Sequence, residues 1–425
     1  MHKHLQTKLF KASVLVDIYE QEKSPYWIYD FDTIREQIKK LRQFDVIRFA
    51  QKANSNIHTL KLMNAEKVCV DAVSEGEILR ALKAGYSNLA KADSIVFTAD
   101  VINQSTLELV IKHHIPVNTG SIDMLQQLGT LSPGHPVWLR INPGFGHGHS
   151  QKTNTGGENS KHGIWHADLL LALELLKKYN LKLLGLHMHI GSGVDYEHLK
   201  SVCDAMIAQA RIVKSAGHDL LAISAGGGLS IPYKEGDATI DTDNYFKLWD
   251  TARKTIETEL GHKVTLEIEP GRFLVAQSGI LVSKIHATKF MGCHKFVLVD
   301  AGFNDLMRPA MYGSYHAISI IKANSQQTDW FEGNANDLIP TVVAGPLCES
   351  GDVFTQKEGG VVEQRLLPTA DVNDYLVFHD AGAYGASMSS NYNSRPLIAE
   401  YAIDGGEIKQ IRRKQSVQDL LGLEE

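Results

Sequence analysis

Three short stretches carry residues whose chemistry is complementary: Lys52 in FAQKANSN (49–56), Gly226-Gly227-Gly228 in SAGGGLS (224–230), and Glu269 in EIEPGR (267–272). A primary amine condenses with an aldehyde to a Schiff base. Consecutive glycines let main-chain N–H groups approach an anion such as phosphate. A carboxylate beside a heterocyclic nitrogen favours its protonated form. Aldehyde, phosphate and pyridine nitrogen are the three handles of pyridoxal 5′-phosphate (PLP), so the set suits that cofactor. A pyridine nitrogen kept protonated by Glu269 makes a strong electron sink, which suits loss of CO2; an arginine there would favour racemisation. A free lysine, with a pKa of about 10.4, offers little neutral amine at pH 7. A reactive Lys52 is therefore expected in a packed, desolvated setting at its strand end. Each residue also has an ordinary reading: a solvated lysine, a flexible glycine turn, a glutamate ion-paired within its turn.

The elements that must position these residues follow from hydrophobic pattern. Eight β-branched or apolar runs recur: DVIRFAQK (45–52), KVCVDAV (67–73), SIVFTA (94–99), IPVNTG (115–120), PVWLRIN (136–142), LLGLHMHI (183–190), LLAISAG (220–226) and VTLEIEP (264–270). Their near-continuous apolar character suits parallel strands covered on both faces. Helical patterns lie between them. SEGEILRALKAGY places Ile78, Leu79 and Leu82 on one face and stops at Gly85. SIDMLQQLG has Ser121 as N-cap, Ile122, Leu125 and Leu128 on one face, and Gly129 as its stop. In 195–217, Leu199, Val202, Met206, Ala210 and Val213 recur at helical spacing. Strand–helix alternation of this kind predicts a (β/α)8 TIM-like barrel, with an open doubly wound sheet as the rival. After Pro270 the rhythm changes to strand-like runs separated by Gly or Pro turns, among them GILVSKIHAT, KFVLVDAG, TVVAGP, DYLVFHDAG and PLIAEYAI. We therefore expect an α/β chain: a PLP-binding barrel over 31–275, and a mostly β domain from 276–425 joined by 1–30.

A barrel carries its site at the carboxyl ends of its strands. Those ends hold Lys52, Asp71, Arg140, His187 with His189, the glycine triplet, and Glu267 with Glu269. The triplet follows the seventh strand, where barrels commonly bind phosphate.

The chain has 425 residues, enough for two domains, with 43% hydrophobic and 22% charged residues and a net charge of −6. That charge argues against nucleic acid as the main partner. The four cysteines, Cys69, Cys203, Cys293 and Cys348, form no CxxC pair or disulfide-like framework, which suits a reducing, cytoplasmic setting. No run is long enough for a signal peptide or a membrane span. Cys69, Cys203 and Cys293 fit core positions; Cys348 in LCESGD reads either as a small buried residue or as an acid. His147, His149 and His162 lie in a Gly/Asn/Ser-rich loop (145–165) that reads as a mobile loop over a substrate rather than a metal site.

FAQKANSN, HMHIGSG, SAGGGLS, EPGRFLV, DAGFNDLMRPAMYGSYH, GPLCESGDVF and GAYGASMSSNYNSRP, in that order, resemble the diaminopimelate decarboxylase family, with its alanine-racemase-like fold. The resemblance runs from YWIYD nearly to the C-terminus. It implies decarboxylation of meso-2,6-diaminopimelate to L-lysine and CO2, the last step of lysine biosynthesis, and a homodimer whose active site is shared across the interface. Related enzymes on the same scaffold act on ornithine, lysine, arginine or carboxynorspermidine, so these substrates form the alternative. Position by position, the resemblance implies that Lys52 binds PLP, that His189 stacks on its ring, and that Ser192 lies near the phosphate or ring. Gly226, Gly227, Gly228, Gly271 and Arg272 would bind the phosphate, with Glu269 on the ring nitrogen. Arg272, Arg308 and Tyr312 would hold the substrate, and Tyr384 would touch cofactor and substrate. Cys348 would donate the proton, and Glu349 would bind substrate, both in the partner subunit's site.

Overall fold

The structure is a computed structural model and describes residues 9–90, 93–146, 156–189, 195–323, 330–331 and 338–424. Its contacts fall into two units: Gln37–Ser230 with Thr239–Leu274, and Met1–Glu36 with Ile231–Ala238 and Val275–Glu425.

The first unit is a barrel. Its strands are β1 (Val46–Ala50), β2 (Cys69–Ala72), β3 (Ile95–Ala99), β4 (Val117–Thr119), β5 (Pro136–Asn142), β6 (Lys182–His187), β7 (Ala222–Ser224) and β8 (Thr265–Ile268). Each pairs in parallel with the next, and β8 returns to β1 with Glu267 opposite Val46 and Ile268 opposite Ile47. The ring is closed, so the open-sheet alternative falls. Side chains alternate strictly along the strands. Ile47 and Phe49, Leu139 and Ile141, and Leu266 and Ile268 are buried on the outward phase. On the inward phase, Val96, Trp138 and Ala222 come from alternate strands yet form one cluster, as a layered barrel interior requires.

That interior is more polar than the sequence pattern suggests. Arg48 of β1 is fully buried, with Nε and Nη2 at 3.0 and 2.8 Å from Glu267 Oε2 of β8 and Nη1 2.7 Å from the Asp93 carbonyl. Beneath this pair, at the amino ends of the strands, lies a cavity of about 290 Å³ whose lining includes Phe44, Asp93, Trp138 and Leu221. Glu267, expected at the carboxyl-end mouth, thus belongs to the barrel floor.

The helices dress the ring largely as expected, with two differences. In Glu75–Lys83 the buried face is Ile78 and Ala81, and Leu79 points outward. Ser121 does cap its helix, but the helix runs on to Leu131. Gly129 is required by packing instead: a Cβ there would lie 2.4 Å from the Tyr179 ring. Leu199, Val202, Met206, Ala210 and Val213 are buried along Tyr196–Ser215, which Asp195 caps.

The second unit is mostly strand. Tyr26–Asp30 lies between Gly279–Met291, antiparallel, and Ala399–Asp404, parallel. Gly279–Met291 also pairs with Tyr375–Phe378 and with His294–Val299, which in turn pairs with Leu338–Ala344. The helix Ala12–Glu22 packs Leu15, Ile18 and Tyr19 onto Tyr26, Ile28, Ile280 and Val377. Cys69 and Cys203 are buried, but Cys293 is exposed, because it sits in the tight turn after Gly292 (φ +62) rather than on a strand. Among the described residues no helix is long and apolar enough to cross a membrane.

Candidate active site

In the barrel unit, Lys52 lies in the single turn Gln51–Ala53 that follows β1. Its side chain is exposed, not packed as expected, because the turn lifts it past the end of the strand into the open mouth. The backbone just before it is tied to the EPGR segment, since Ala50 N–H donates to the Pro270 carbonyl at 3.1 Å. Lys52 and Glu269 therefore emerge from two segments fixed to one another. Both charges act on the buried Asp71 of β2 and on His189, so both face one region.

Glu269 is the most heavily supported group there. His187 Nε2 lies 2.8 Å from its Oε2, and Ser224 Oγ donates to Oε1 at 3.2 Å. Burial pushes its pKa up, but His187 and the Arg48 charge outweigh that, so the carboxylate is held below its ordinary range. Asp71 shifts the other way: burial first, then repulsion from Glu269, raise it well above a normal aspartate. Two neighbouring carboxyl groups are thus driven apart in protonation. Arg140 of β5 is also buried, and its guanidinium faces Asp100, Glu269 and Asp71.

His189 is neutral: burial, then the Arg140 and Lys52 charges, hold its pKa well below the ordinary imidazole value. Its Nδ1 accepts the Gly227 N–H at 3.1 Å, which leaves the proton on Nε2. The Gly226 N–H is likewise spent, on Ser224 Oγ at 3.2 Å. So of the three N–H groups expected to face an anion, only that of Gly228 meets no acceptor among the described residues. The other two glycines are required by close approach. A Cβ at Gly226 would lie 2.4 Å from the Met188 carbonyl, and one at Gly227 2.5 Å from the Glu269 carbonyl. Gly271 and Arg272 follow Glu269 and are half-buried. Ser192, His147 and His149 lie outside the described residues, while His162 pairs with Asp100 at 2.6 Å.

In the β-rich unit, Arg308 is buried at the start of the helix Arg308–Tyr312, which ends in the half-buried Tyr312. Its Nη1 donates to His316 Nε2 at 2.9 Å, and its guanidinium stacks 4.9 Å from the Tyr233 ring. His316 Nδ1 donates to the His379 carbonyl at 2.8 Å, which fixes the tautomer that accepts from Arg308. Cys348 and Glu349 are exposed neighbours on the loop after Leu338–Ala344. Tyr384 is half-buried with φ +57, a strained conformation for a bulky residue. Sequence reasoning missed Ser224 and His316. Ser224 was legible as the last inward residue of its strand, two positions before the glycine triplet; nothing in the local pattern marked His316.

A closed barrel with an amine and an ionised carboxylate at its carboxyl end, in one chain with a β-rich unit, defines the class of barrel-type pyridoxal enzymes. Residues 31–276 match the family described as pyridoxal-dependent decarboxylase, pyridoxal binding domain. A diaminopimelate decarboxylase of Escherichia coli K12 is 62% identical over 400 residues, covering 94% of this chain and 93% of the relative. One from Streptomyces coelicolor is 62% identical over 401 residues, covering 94% and 89%. A crystal structure of diaminopimelate decarboxylase superposes with a TM-score of 0.93 at 61% identity, covering 97% of this chain and 96% of the other. The Helicobacter pylori enzyme complexed with L-lysine gives 0.83 at 32% identity, covering 96% and 98%. The chain belongs to the pyridoxal-dependent decarboxylase family, among its diaminopimelate decarboxylases.

Proposed function

We infer that the protein decarboxylates meso-2,6-diaminopimelate to L-lysine and CO2, the last step of lysine biosynthesis, with PLP as its cofactor. The observation that carries this reading is the buried, ionised Glu269, tied through Pro270 to Ala50, the last residue of the strand that leads into the Lys52 turn. The residues present fit the cofactor: an accessible amine, a carboxylate kept charged, a Gly228 N–H that meets no acceptor among the described residues, and a neutral imidazole. Bound PLP supplies the electron sink for the pair left behind when CO2 departs.

Lys52 would hold the aldehyde group. Glu269 would keep the ring nitrogen protonated, and His187 and Ser224 hold its carboxylate in place. A neutral His189 would pack against the cofactor without adding positive charge. Arg308 grips the substrate's distal carboxylate through its guanidinium fork, with Arg272, Tyr312 and Tyr384 beside the substrate. Glu349 takes the distal ammonium. As the C–CO2 bond breaks, the α-carbon is left with an electron pair, and Cys348 Sγ–H gives it a proton; the thiolate regains one from solvent. A thiol placed at the α-carbon can act as a general acid and suits that role.

Gly226, Gly227, Gly228 and Gly271 would complete the cofactor's surroundings. Following the family resemblance, the protein is a cytoplasmic homodimer in which Cys348 and Glu349 serve the partner's site. Carbon dioxide release by the purified, PLP-loaded protein tests the reading: turnover on meso-diaminopimelate well above that on ornithine, lysine, arginine or carboxynorspermidine is expected. No release from meso-diaminopimelate would overturn it.

A further inference from the structure

The loop Gly345–Asp352, which carries Cys348 and Glu349, is fastened at its base and at its tip by different groups. At the base, Asp352 Oδ2 accepts the Leu347 N–H at 2.8 Å and Oδ1 accepts the Phe303 N–H at 2.7 Å. Asp352 N–H in turn donates to the Glu349 carbonyl at 3.1 Å. Gly302 leaves the room this needs, since a Cβ there would lie 2.8 Å from Leu347 Cγ.

The tip is held from outside the loop, by the segment 389–394. Asn393 Oδ1 accepts the Cys348 N–H at 2.9 Å. Tyr392 OH donates to Glu349 Oε2 at 3.4 Å, and its ring lies 5.3 Å from that of Phe303. The segment is itself anchored, with Ser390 N–H on the Asn304 carbonyl at 2.8 Å and Ser389 OH on the Asp305 carbonyl at 3.1 Å. Asn393 and Ser394 are consecutive non-glycine residues with φ of +54 and +55. Such a pair is costly and persists only where its surroundings over-determine it. Asparagine tolerates the left-handed region better than most residues. The unfavourable backbone accompanies one visible contact: the Asn393 amide turned back onto the main chain of Cys348.

We propose that Asn393 is a positioning residue for the Cys348 thiol and Tyr392 a positioning residue for the Glu349 carboxylate. This rests on the roles assigned above to Cys348 and Glu349. Asn393 serves delivery of the proton, a transition-state event; Tyr392 serves binding of the distal ammonium, present already in the bound substrate. The two therefore separate in kinetics.

The test is steady-state CO2 release from meso-diaminopimelate by the full-length holoenzyme. Asn393→Gly keeps the left-handed backbone without steric cost and deletes the amide, whereas Asn393→Asp keeps an acceptor oxygen. Expected is a fall in kcat of about tenfold or more for Asn393→Gly, as a misplacement of the acid near 1 Å would cause, with KM within about twofold of wild type. Asn393→Asp is expected to recover most of that loss. Tyr392→Phe is expected to raise KM by about threefold or more with little change in kcat. Cys348→Ala separates this inference from the reading beneath it. If Cys348→Ala leaves kcat intact, the acid assignment fails. If Cys348→Ala collapses kcat while Asn393→Gly matches wild type, or while Asn393→Gly and Asn393→Asp fall equally in kcat and melting temperature, the positioning role is overturned.

Discussion

Replacing Arg48 by methionine tests whether the barrel depends on its charged interior. Arg48 is fully buried and makes two contacts to Glu267 Oε2, at 3.0 and 2.8 Å, and one of 2.7 Å to the Asp93 carbonyl. Methionine fills similar space but donates nothing, which leaves Glu267, 5% exposed, as an unpaired buried carboxylate. Breaking such a pair from one side costs about 3–5 kcal/mol. At about 2–4 °C per kcal/mol for a unit of this size, the barrel's melting temperature should fall by roughly 6–20 °C at pH 8. The pH dependence has a definite sign. Burial already raises the Glu267 pKa, with Arg48 as the chief opposing influence, so removing Arg48 raises it further. A carboxyl group with a raised folded pKa is fully tolerated below its unfolded value, about 4.3, and destabilises as pH rises through the folded pKa. The deficit against wild type should therefore narrow on acidification from pH 8 towards pH 5. Adding Glu267→Leu should recover most of the loss, because the orphaned charge is gone. Thermal unfolding followed at several pH values is the assay. A change under about 2 °C at pH 8, a deficit that ignores pH, or a double variant no better than the single one would refute the reasoning.

Three further outcomes are expected. Cys348→Ala should keep PLP absorbance and loading while CO2 release slows by about 10²- to 10⁴-fold, the usual contribution of a positioned acid. Arg308→Met should raise KM for meso-diaminopimelate by about 10- to 100-fold, the worth of a hydrogen bond to a charged group, with decarboxylation kinetics as the readout. Gly227→Ala places a Cβ 2.5 Å from the Glu269 carbonyl. It should destabilise the barrel by about 1–3 kcal/mol and weaken PLP binding measured by titration, because it displaces the backbone that carries Glu269.

The barrel was legible because the eight runs keep a predominantly apolar outward phase, and that phase survives in a single sequence. The inward phase was misread. LRIN, HMH and LEIEP each alternate apolar with polar, and Arg140, His187, Glu267 and Glu269 are the inward members. Averaged over both phases they pass for continuous apolar strands, so the fully buried Arg48–Glu267 pair was not expected. The residue types of the mouth were legible, but their division of labour was not. Sequence gives three glycines; only the fold shows that the Gly226 and Gly227 N–H groups are spent on Ser224 and His189. The exposure of Lys52 likewise depends on one turn, Gln51–Ala53, which leaves no mark in hydrophobic pattern. His316 and Asn393 act through residues 8 and 45 positions away. Such pairings are set by the tertiary path of the chain and have no local signature.

Borohydride reduction of the PLP-loaded protein, followed by peptide mapping, tests the central claim most directly. A pyridoxyl adduct on the peptide containing Lys52, absent in Lys52→Ala, is the predicted result. An adduct confined to another lysine, or none in a protein that still binds PLP, would contradict it.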